Sequence, residues 1–411
     1  MLEYGRNNNK LFGGNVKSIY KDSIKKLKKQ IKKQIILNPV ENLPFKTIKY
    51  DTRIFQGLYV SDKNKTEIAE FNSKISFSGR RNINKLVLQI YDEWSHVLKA
   101  KKISLRFLSG LHAHMVLFMS IGNIGDSVAL LPEIAGGHYA TKNILTRLGY
   151  NVLELIADNK NYKINIEESI NLINIHKPKF LFIDRSEGIF YEDFTELCKK
   201  IDCYKIFDAS QYLSHILNGE YISPFEMGFD MILSTLHKNF PGPQKALICT
   251  NNEQIEWYNL TKGTSEFVSS LHIQSLLESG LALIEFLKNK KYTINMLENS
   301  KIITDYLLKY QVPVVTTPFT PKTQHIWIKF ETKEKAFEFY KNLEKINILV
   351  NFRKLPYNLG YGIRLGTAAS TLCGLTPKLA EKLADIIKDT YYYGYNYNHI
   401  KFIKKIAKKL Y

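Results

Sequence analysis

Hydrophobic and polar positions follow two recurring patterns from about residue 85 to residue 250. Short apolar runs typical of buried strands are separated by longer segments in which apolar residues recur at helical spacing. The predicted strands cover residues 127–131, 151–156, 179–184, 204–207, 231–234 and 246–250, and the predicted helices cover 86–97, 141–148, 166–175 and 194–200. This alternation predicts an α/β fold with a mostly parallel sheet between two layers of helices.

A different arrangement follows residue 264. A long helical segment over 271–288 precedes strands near 312–316 and 325–330, a helix over 332–343, a strand near residue 349 and a final helix after residue 376. We therefore expect a basic N-terminal arm over residues 1–45, a large ligand-binding domain over 46–290 and a smaller C-terminal α+β domain over 291–411. Parallel sheets bind ligands at the carboxyl ends of their strands, where polar residues of this chain collect.

Composition narrows the class of protein. The chain has 411 residues, 45% hydrophobic and 24% charged, which suits two or three domains of ~150 residues and excludes a disordered or collagen-like chain. Its four cysteines have neither zinc-site spacing nor the density of a disulfide framework. No signal peptide is evident, and the most apolar region is interrupted by Gly122, Asp126 and Pro132. We expect a cytoplasmic protein with neither a membrane span nor a metal.

The net charge of +19 is concentrated at the two ends, because residues 21–33 and 401–411 carry eleven of the nineteen charges. Apolar residues at helical spacing predict two amphipathic helices with solvated lysine faces. They are Ile24, Leu27, Ile31 and Ile35 in the first segment and His399, Ile403, Ile406 and Leu410 in the second. A surface for nucleic acid or anionic lipid is the alternative, but no interleaved aromatic residues accompany the charge, so nucleic acid is not the expected partner.

The most informative motif surrounds Lys238, which follows a predicted strand, Thr235 and His237 and precedes a Pro-Gly-Pro turn. Desolvation can lower the pKa of such a lysine and allow it to form a Schiff base. Asp208 ends another strand, where a carboxylate can keep a pyridinium nitrogen protonated. Alone, each residue has an ordinary explanation as a surface lysine or a turn cap. Together they match the arrangement that binds pyridoxal 5'-phosphate (PLP).

Two loops extend this candidate site. A pair of glycines precedes His138, whose imidazole can stack on a flat ring and move protons, although single histidines are also common in loops. Ser109 and Gly110 open an apolar helix whose free N–H groups suit a phosphate, although an ordinary N-cap has the same sequence. His112 and His114 point to different faces of that helix, which disfavours a metal site.

In order and spacing, these motifs resemble the serine hydroxymethyltransferase family of fold-type-I PLP-dependent enzymes, from about residue 35 to the end. The resemblance implies a large domain with a seven-stranded type of mostly parallel sheet, and a homodimer in which each subunit helps to complete the other's active site. The segments that carry it are Val40-Glu41-Asn42, Ser109-Gly110, Gly136-Gly137-His138, Asp208-Ala209-Ser210-Gln211, Thr235-Leu236-His237-Lys238 and Gly362-Ile363-Arg364-Leu365-Gly366-Thr367.

The resemblance also implies roles in cofactor binding. Lys238 would form the Schiff base, Asp208 would hold the ring nitrogen, His138 would stack on the ring, Ser109 would bind the phosphate, and Ser186 would lie near the phenolic oxygen. The full set of expected cofactor contacts is Ser109, Gly110, Leu111, His138, Ser186, Asp208, Gln211, Thr235, His237 and Lys238.

For the substrate, Arg364 matches the arginine that binds the amino-acid carboxylate, and Glu41 matches the carboxylate that exchanges a proton with the substrate hydroxyl. The expected catalytic residues are thus Lys238, Glu41, His138 and Asp208. Segments 76–81 and 262–270 depart from the family pattern. We therefore expect Cα–Cβ aldol-type cleavage or transfer on an amino acid, with an aldehyde as possible second substrate and without tetrahydrofolate. The alternatives are a folate-dependent serine hydroxymethyltransferase, an aminotransferase or other PLP enzyme, and a basic non-enzymatic scaffold.

Overall fold

The computed structural model describes residues 16–61, 66–252 and 255–410 of the chain. Its first elements are helix α1 (Val16–Ile31), strand β1 (Ile35–Ile36) and helices α2 (Glu67–Phe71) and α3 (Arg81–Leu98). The central region then contains β2 (Lys102–Phe107), α4 (Gly110–Ile121), β3 (Ser127–Leu130), α5 (Thr141–Arg147), β4 (Asn151–Glu154), β5 (Ala157–Asp158), β6 (Lys163–Ile164), α6 (Ile166–His176), β7 (Phe180–Ile183), α7 (Thr195–Lys200), β8 (Tyr204–Asp208), α8 (Leu213–Asn218), α9 (Pro224–Met227), β9 (Met231–Thr235) and β10 (Ala246–Thr250).

Three helices lead from this region to the C-terminal part, namely α10 (Ile255–Phe267), α11 (Ile273–Lys288) and α12 (Lys291–Lys309). The remaining elements are β11 (His325–Lys329), α13 (Lys333–Lys345), β12 (Ile348–Leu349), β13 (Asn351–Lys354), β14 (Tyr361–Gly366), α14 (Ala368–Leu372), α15 (Pro377–Tyr393) and α16 (Tyr397–Leu410). No helix in the described ranges is long and apolar enough to cross a membrane.

A seven-stranded sheet forms the centre of the structure, with strand order β2-β10-β9-β8-β7-β3-β4. Only β10 runs antiparallel to its neighbours in this sheet. All four residues of β7 are buried, as expected for a strand covered by helices on both faces. The predicted α/β fold with a mostly parallel sheet is confirmed, and the register places the ends of β8 and β9 side by side.

The C-terminal part contains a three-stranded antiparallel sheet of order β11-β14-β13. Strand β1 pairs in parallel with β12 through Ile35 and Ile348, so residues from near the N-terminus pack in the same hydrophobic cluster as α13, α15 and α16. The prediction of a strand over 312–316 is wrong, because only Val314 forms a β-bridge there, to Ile328. Pro313 supplies no N–H group to a ladder. The three-part division of the chain stays a prediction.

The two lysine-rich helices differ in what their apolar faces contact. Ile403, Ile406 and Leu410 of α16 are buried, as the sequence predicts. Ile24 and Leu27 of α1 are more than half exposed. The prediction that Ile35 extends the apolar face of the first helix is wrong, because α1 ends at Ile31 and Ile35 lies in β1.

Candidate active site

Asp208 is the last residue of β8, and its carboxylate is held by two neighbours. Ser210 donates its backbone N–H to Asp208 Oδ1 at 2.8 Å, and His114 Nε2 lies 2.8 Å from Oδ2. Burial acts to raise the pKa of Asp208, but the hydrogen bond and charge of His114 and the charge of Lys238 outweigh it, so the pKa is lowered. Asp208 is therefore an ionised, buried carboxylate, and His114 Nε2 carries the proton between them.

Lys238 lies three residues after the end of β9, in a loop that other segments hold in place. Asn42 donates to the Lys238 carbonyl oxygen at 2.7 Å. Burial lowers the pKa of the Lys238 amine, the charge of Asp208 opposes this shift, and the charge of Arg364 reinforces it. A lowered pKa increases the fraction of neutral amine, which is the nucleophilic form of a lysine.

His138 follows a backbone loop that only glycine permits. Gly136 has a left-handed φ of 88°, and a Cβ on Gly137 would come within 2.2 Å of the Leu131 carbonyl oxygen. Burial lowers the pKa of His138 to about 4, and the charges of His114 and Lys238 act in the same direction. The imidazole is therefore neutral at physiological pH, close enough to Lys238 to sense its charge.

Ser109 caps α4 and brings its first turn to the end of β9. Its hydroxyl accepts the backbone N–H of His112 at 3.3 Å. A Cβ on Gly110 would lie only 2.7 Å from Thr235 Cγ2, so glycine is needed for this close approach. Since the first N–H groups of a helix have no partner within it, this turn is suited to an anion.

Arg364 reaches the site from β14 in the C-terminal part. Its Nη1 donates to the Ser186 carbonyl oxygen at 3.2 Å, and Ser186 N–H in turn donates to Gly136 at 2.8 Å. Burial lowers the pKa of Arg364 to about 10, which leaves the side chain charged at neutral pH. Its Nε has no hydrogen-bond partner among the described residues. Arg364 thus retains donor capacity for a ligand.

The other predicted residues occupy less central positions. Gln211 is buried, with Oε1 3.2 Å from His325 Nε2. His237 is half-buried, and burial lowers the pKa of its imidazole to about 4. Leu111 is half-buried on the first turn of α4. Glu41 is exposed and accepts a hydrogen bond from Asn38 at 2.8 Å, so the structure does not bring its carboxylate into the buried cluster.

Sequence reasoning missed four charged or titratable groups around the site. His114 was judged only as a metal ligand, whereas it contacts Asp208. Asp184, at the end of β7, is buried, and burial raises its pKa well above the usual value. Glu187 and Arg353 form an ion pair beside Arg364. Asp184 and Glu187 carried a signal, since two acidic residues follow a fully apolar strand within a few positions.

This assembly of a half-buried lysine, a buried carboxylate, a helix N-terminus and an arginine with an unpaired Nε defines the chain as an enzyme of the fold-type-I PLP class. The sequence profile of serine hydroxymethyltransferase matches residues 83–387. Because that match covers most of the chain, the protein belongs to the serine hydroxymethyltransferase family.

Individual relatives agree with this assignment. The chain is 27% identical over 323 residues to a serine hydroxymethyltransferase of Pyrobaculum calidifontis, covering 76% of this chain and 75% of the relative. A serine hydroxymethyltransferase of Metallosphaera sedula is 25% identical over 348 residues, covering 81% and 80%. A solved structure of L-threonine transaldolase from Pseudomonas fluorescens, in its internal aldimine state, superposes with a TM-score of 0.88 at 20% identity, covering 96% of this chain and 91% of that one.

Because the protein belongs to this family, it is a PLP-dependent enzyme, and the residues of the candidate site fit that cofactor. Thr235 Oγ1, His237 Nδ1 and Gln211 Nε2 are buried and lack a hydrogen-bond partner within the described part of the chain. Buried polar groups normally have partners, so such atoms on Thr235 and His237, in the segment of Lys238, and on Gln211, three residues after Asp208, indicate a place for a polar ligand. Lys238, Asp208 and the first turn of α4 supply an amine, a carboxylate and an anion site.

Proposed function

We propose that the protein cleaves or transfers the Cα–Cβ bond of a β-hydroxy-α-amino acid without tetrahydrofolate. The observation that carries the proposal is the unpaired Nε of Arg364, whose side chain is linked through Ser186 to Gly136 in the loop that precedes His138. The charge of Arg364 also contributes, after burial, to the lowered pKa of Lys238. An amino acid whose carboxylate binds Arg364 would therefore present its nitrogen and Cα toward Lys238. Charge-assisted, two-point binding of a carboxylate by arginine fixes orientation as well as adding affinity.

The proposal includes the cofactor-binding roles that the resemblance implies, and the geometry of the site is compatible with them. Lys238 would hold PLP covalently, Ser109 and Gly110 would bind its phosphate at the N-terminus of α4, and Asp208 would accept a hydrogen bond from the protonated ring nitrogen. His138 would lie against the ring. When bound, the cofactor supplies an electron sink for the charge left at Cα after bond cleavage.

Proton movement in this proposal is assigned to two groups. Burial lowers the pKa of His138 to about 4, so the imidazole is neutral above about pH 5 and, as a weak base, would pass a proton on rather than hold it. Glu41 would exchange a proton with the substrate hydroxyl, and its segment reaches the site through the contact of Asn42 with the Lys238 carbonyl. The exposed Glu41 carboxylate is hydrogen-bonded to Asn38, so its rotation toward the site is part of the proposal.

The choice against folate rests on segment 76–81, where the resemblance leads to the expectation of a tyrosine segment. Phe77 stands there without a phenolic hydroxyl, and its ring stacks on Tyr59 with centroids 4.1 Å apart. A transaldolase reaction is also consistent with the superposition of this chain on an L-threonine transaldolase. A folate-dependent serine hydroxymethyltransferase is the second candidate, favoured by the names of the sequence relatives.

The remaining proposals concern assembly and location. A homodimer that completes each active site from both subunits remains a proposal that stands on the resemblance. A cytoplasmic location remains a proposal that stands on the cysteine content of the sequence. Size-exclusion chromatography with light scattering of the PLP-loaded protein tests the first of these, with about twice the chain mass of 47.7 kDa expected.

The function is tested by incubating the PLP-loaded enzyme with L-threonine, L-serine and L-phenylserine, with and without an added aldehyde and tetrahydrofolate. We expect glycine or an exchanged β-hydroxy amino acid to form without folate. Glu41→Gln should slow this step by roughly 10²-fold, the scale of a lost general acid or base. Serine-to-glycine conversion that strictly requires tetrahydrofolate would favour the second candidate.

A further inference from the structure

A second arginine and a buried glutamate stand directly beside Arg364. Arg353 Nη1 lies 2.6 Å from Glu187 Oε1, and Arg364 Nη1 lies 3.9 Å from Glu187 Oε2. The side chain of Glu187 is fully buried, that of Arg364 is 4% exposed, and that of Arg353 is 23% exposed. The Glu187 carboxylate is thus nearer to the guanidinium group of Arg353 than to that of Arg364.

The fold places these three charges together. Strands β13 and β14 pair antiparallel, with Asn351 opposite Arg364 and Arg353 opposite Gly362. Since Arg353 is two residues from Asn351, both arginines project from the same face of this sheet. Glu187 arrives from the loop after β7, next to Ser186, whose carbonyl oxygen accepts the hydrogen bond from Arg364. The charge of Arg353 also makes a small contribution to the lowered pKa of His138.

We propose that Glu187 restricts this site to amino acids with a single carboxylate, an inference that rests on the proposed function. The two guanidinium groups and one carboxylate leave one net positive charge. Because Glu187 contacts Arg353 at 2.6 Å, its negative charge offsets the positive charge of Arg353. The remaining positive charge therefore lies on Arg364. Arg353 would otherwise be a second binding group for a side-chain carboxylate or other anion, because it is partly exposed.

The polar contacts of the two arginines support this division. Arg364 makes one described hydrogen bond, from Nη1 to Ser186, and its Nε has no described partner. Arg353 uses Nη1 on Glu187 and Nε on the Lys354 carbonyl oxygen at 3.2 Å. The substrate carboxylate therefore meets the arginine with unused donors. A second carboxylate would have to displace the buried Glu187, which would then be left without its closest cation.

The test measures binding rather than turnover. Holoenzyme absorbance is titrated with L-alanine and with L-aspartate, and the ratio of the two dissociation constants is compared between the wild type and Glu187→Gln. Freeing Arg353 should lower the ratio of the L-aspartate constant to the L-alanine constant at least tenfold. Adding Arg353→Gln to that variant should return the ratio toward its wild-type value.

Two further variants separate specificity from folding. Glu192→Gln removes another buried, arginine-paired glutamate, whose partner is Arg185, and should leave the ratio unchanged. Arg353→Gln alone should weaken L-alanine binding at least tenfold, because Glu187 then has only Arg364 as a partner. This variant tests the inference even if Glu187→Gln does not fold.

The outcomes are distinguishable. An unchanged ratio in Glu187→Gln, or unchanged L-alanine binding in Arg353→Gln, would overturn the inference and leave the proposed function standing. A wild-type holoenzyme whose spectrum responds to neither amino acid would overturn both.

Discussion

Arg185 and Arg364 are both buried arginines that face a buried glutamate, but their guanidinium groups are used differently. Arg185 Nη1 donates to the Ala135 carbonyl oxygen at 3.0 Å and to Tyr357 at 2.7 Å, and its Nη2 pairs with Glu192. Among the described residues Arg364 donates only to Ser186, and it lies 3.9 Å from Glu187. The first arginine is engaged at both terminal nitrogens by the fold itself, whereas the second keeps donors for a ligand.

This difference teaches how to separate structural charges from functional charges in one protein. Both arginines follow the rule that buried charges are paired, so burial alone does not distinguish them. Nε lacks a described hydrogen-bond partner in both side chains, so what distinguishes Arg364 is an unused terminal nitrogen and a long ion-pair distance. The same distinction applies to the glutamates, since Glu192 also accepts the Ile164 backbone N–H at 2.8 Å, while Glu187 is held by arginines alone among its described partners.

The largest expected effect is on the stability of the protein, through the pair of Arg185 and Glu192. Glu192→Ala leaves Arg185 as a buried charge without its carboxylate, which should lower the free energy of unfolding by about 3–5 kcal/mol. Urea denaturation of the apoprotein, followed by circular dichroism, measures this loss. A change below about 1 kcal/mol, the usual scale of an exposed ion pair, would show that the pair is not structural.

The second expected effect is on amino-acid binding by Arg364, the arginine that faces Glu187. Arg364→Ala removes a charge-assisted contact with the substrate carboxylate, which should weaken amino-acid binding by roughly 2–4 kcal/mol, more than tenfold. PLP affinity and the urea midpoint should change little. Titration of the holoenzyme with L-alanine measures the first quantity, and an equal loss of PLP would show that Arg364 is structural.

The smallest expected effect concerns Lys245, a fully buried lysine whose Nζ donates to the Leu271 carbonyl oxygen at 2.9 Å. Burial lowers its pKa to about 7 from the ordinary 10.5, so between these pH values the unfolded chain binds a proton that the folded chain does not. The contribution of Lys245 to the free energy of unfolding therefore rises as the pH increases from about 7 to 10.5. Lys245→Met should stabilise the protein by about 1–3 kcal/mol at pH 7.

The pH dependence distinguishes this explanation from a simple gain in packing. The stabilisation by Lys245→Met should shrink as pH rises from 7 and should be nearly absent at pH 10.5, because the native lysine then carries no burial penalty. A constant gain across that range, measured by thermal unfolding of both proteins in matched buffers, would contradict the lowered pKa.

The sequence predicts the sheet well because its central strands are continuous apolar runs. Strand β2 was missed, since Lys102 and Arg106 interrupt its apolar residues. The exposed apolar face of α1 was not predicted either, because helical spacing indicates an amphipathic helix without saying what covers it. In physical terms, periodicity reports a preference for burial, and only the tertiary structure decides whether a partner surface exists.

The residues of the candidate site also divide into those that the sequence could identify and those that depend on tertiary packing. Lys238, Asp208, His138 and Arg364 stand in local motifs at strand ends or turns, so the sequence could identify them. His114 and Arg353 could not be identified, because their partners are distant in sequence. Asp208 lies 94 residues from His114, and the contact depends on α4 packing against the sheet. Charges brought together by tertiary packing carry no local signal.

The central claim is that Lys238 is the lysine that holds the cofactor. The most direct measurement is borohydride reduction of the PLP-loaded protein, followed by digestion and peptide mass spectrometry. Lys245 is an internal comparison, because it is more deeply buried than Lys238 and its pKa is also lowered. We predict a single reduced PLP adduct on Lys238, which Lys238→Ala abolishes. An adduct on Lys245, or on any other lysine of the wild-type protein, would contradict the account.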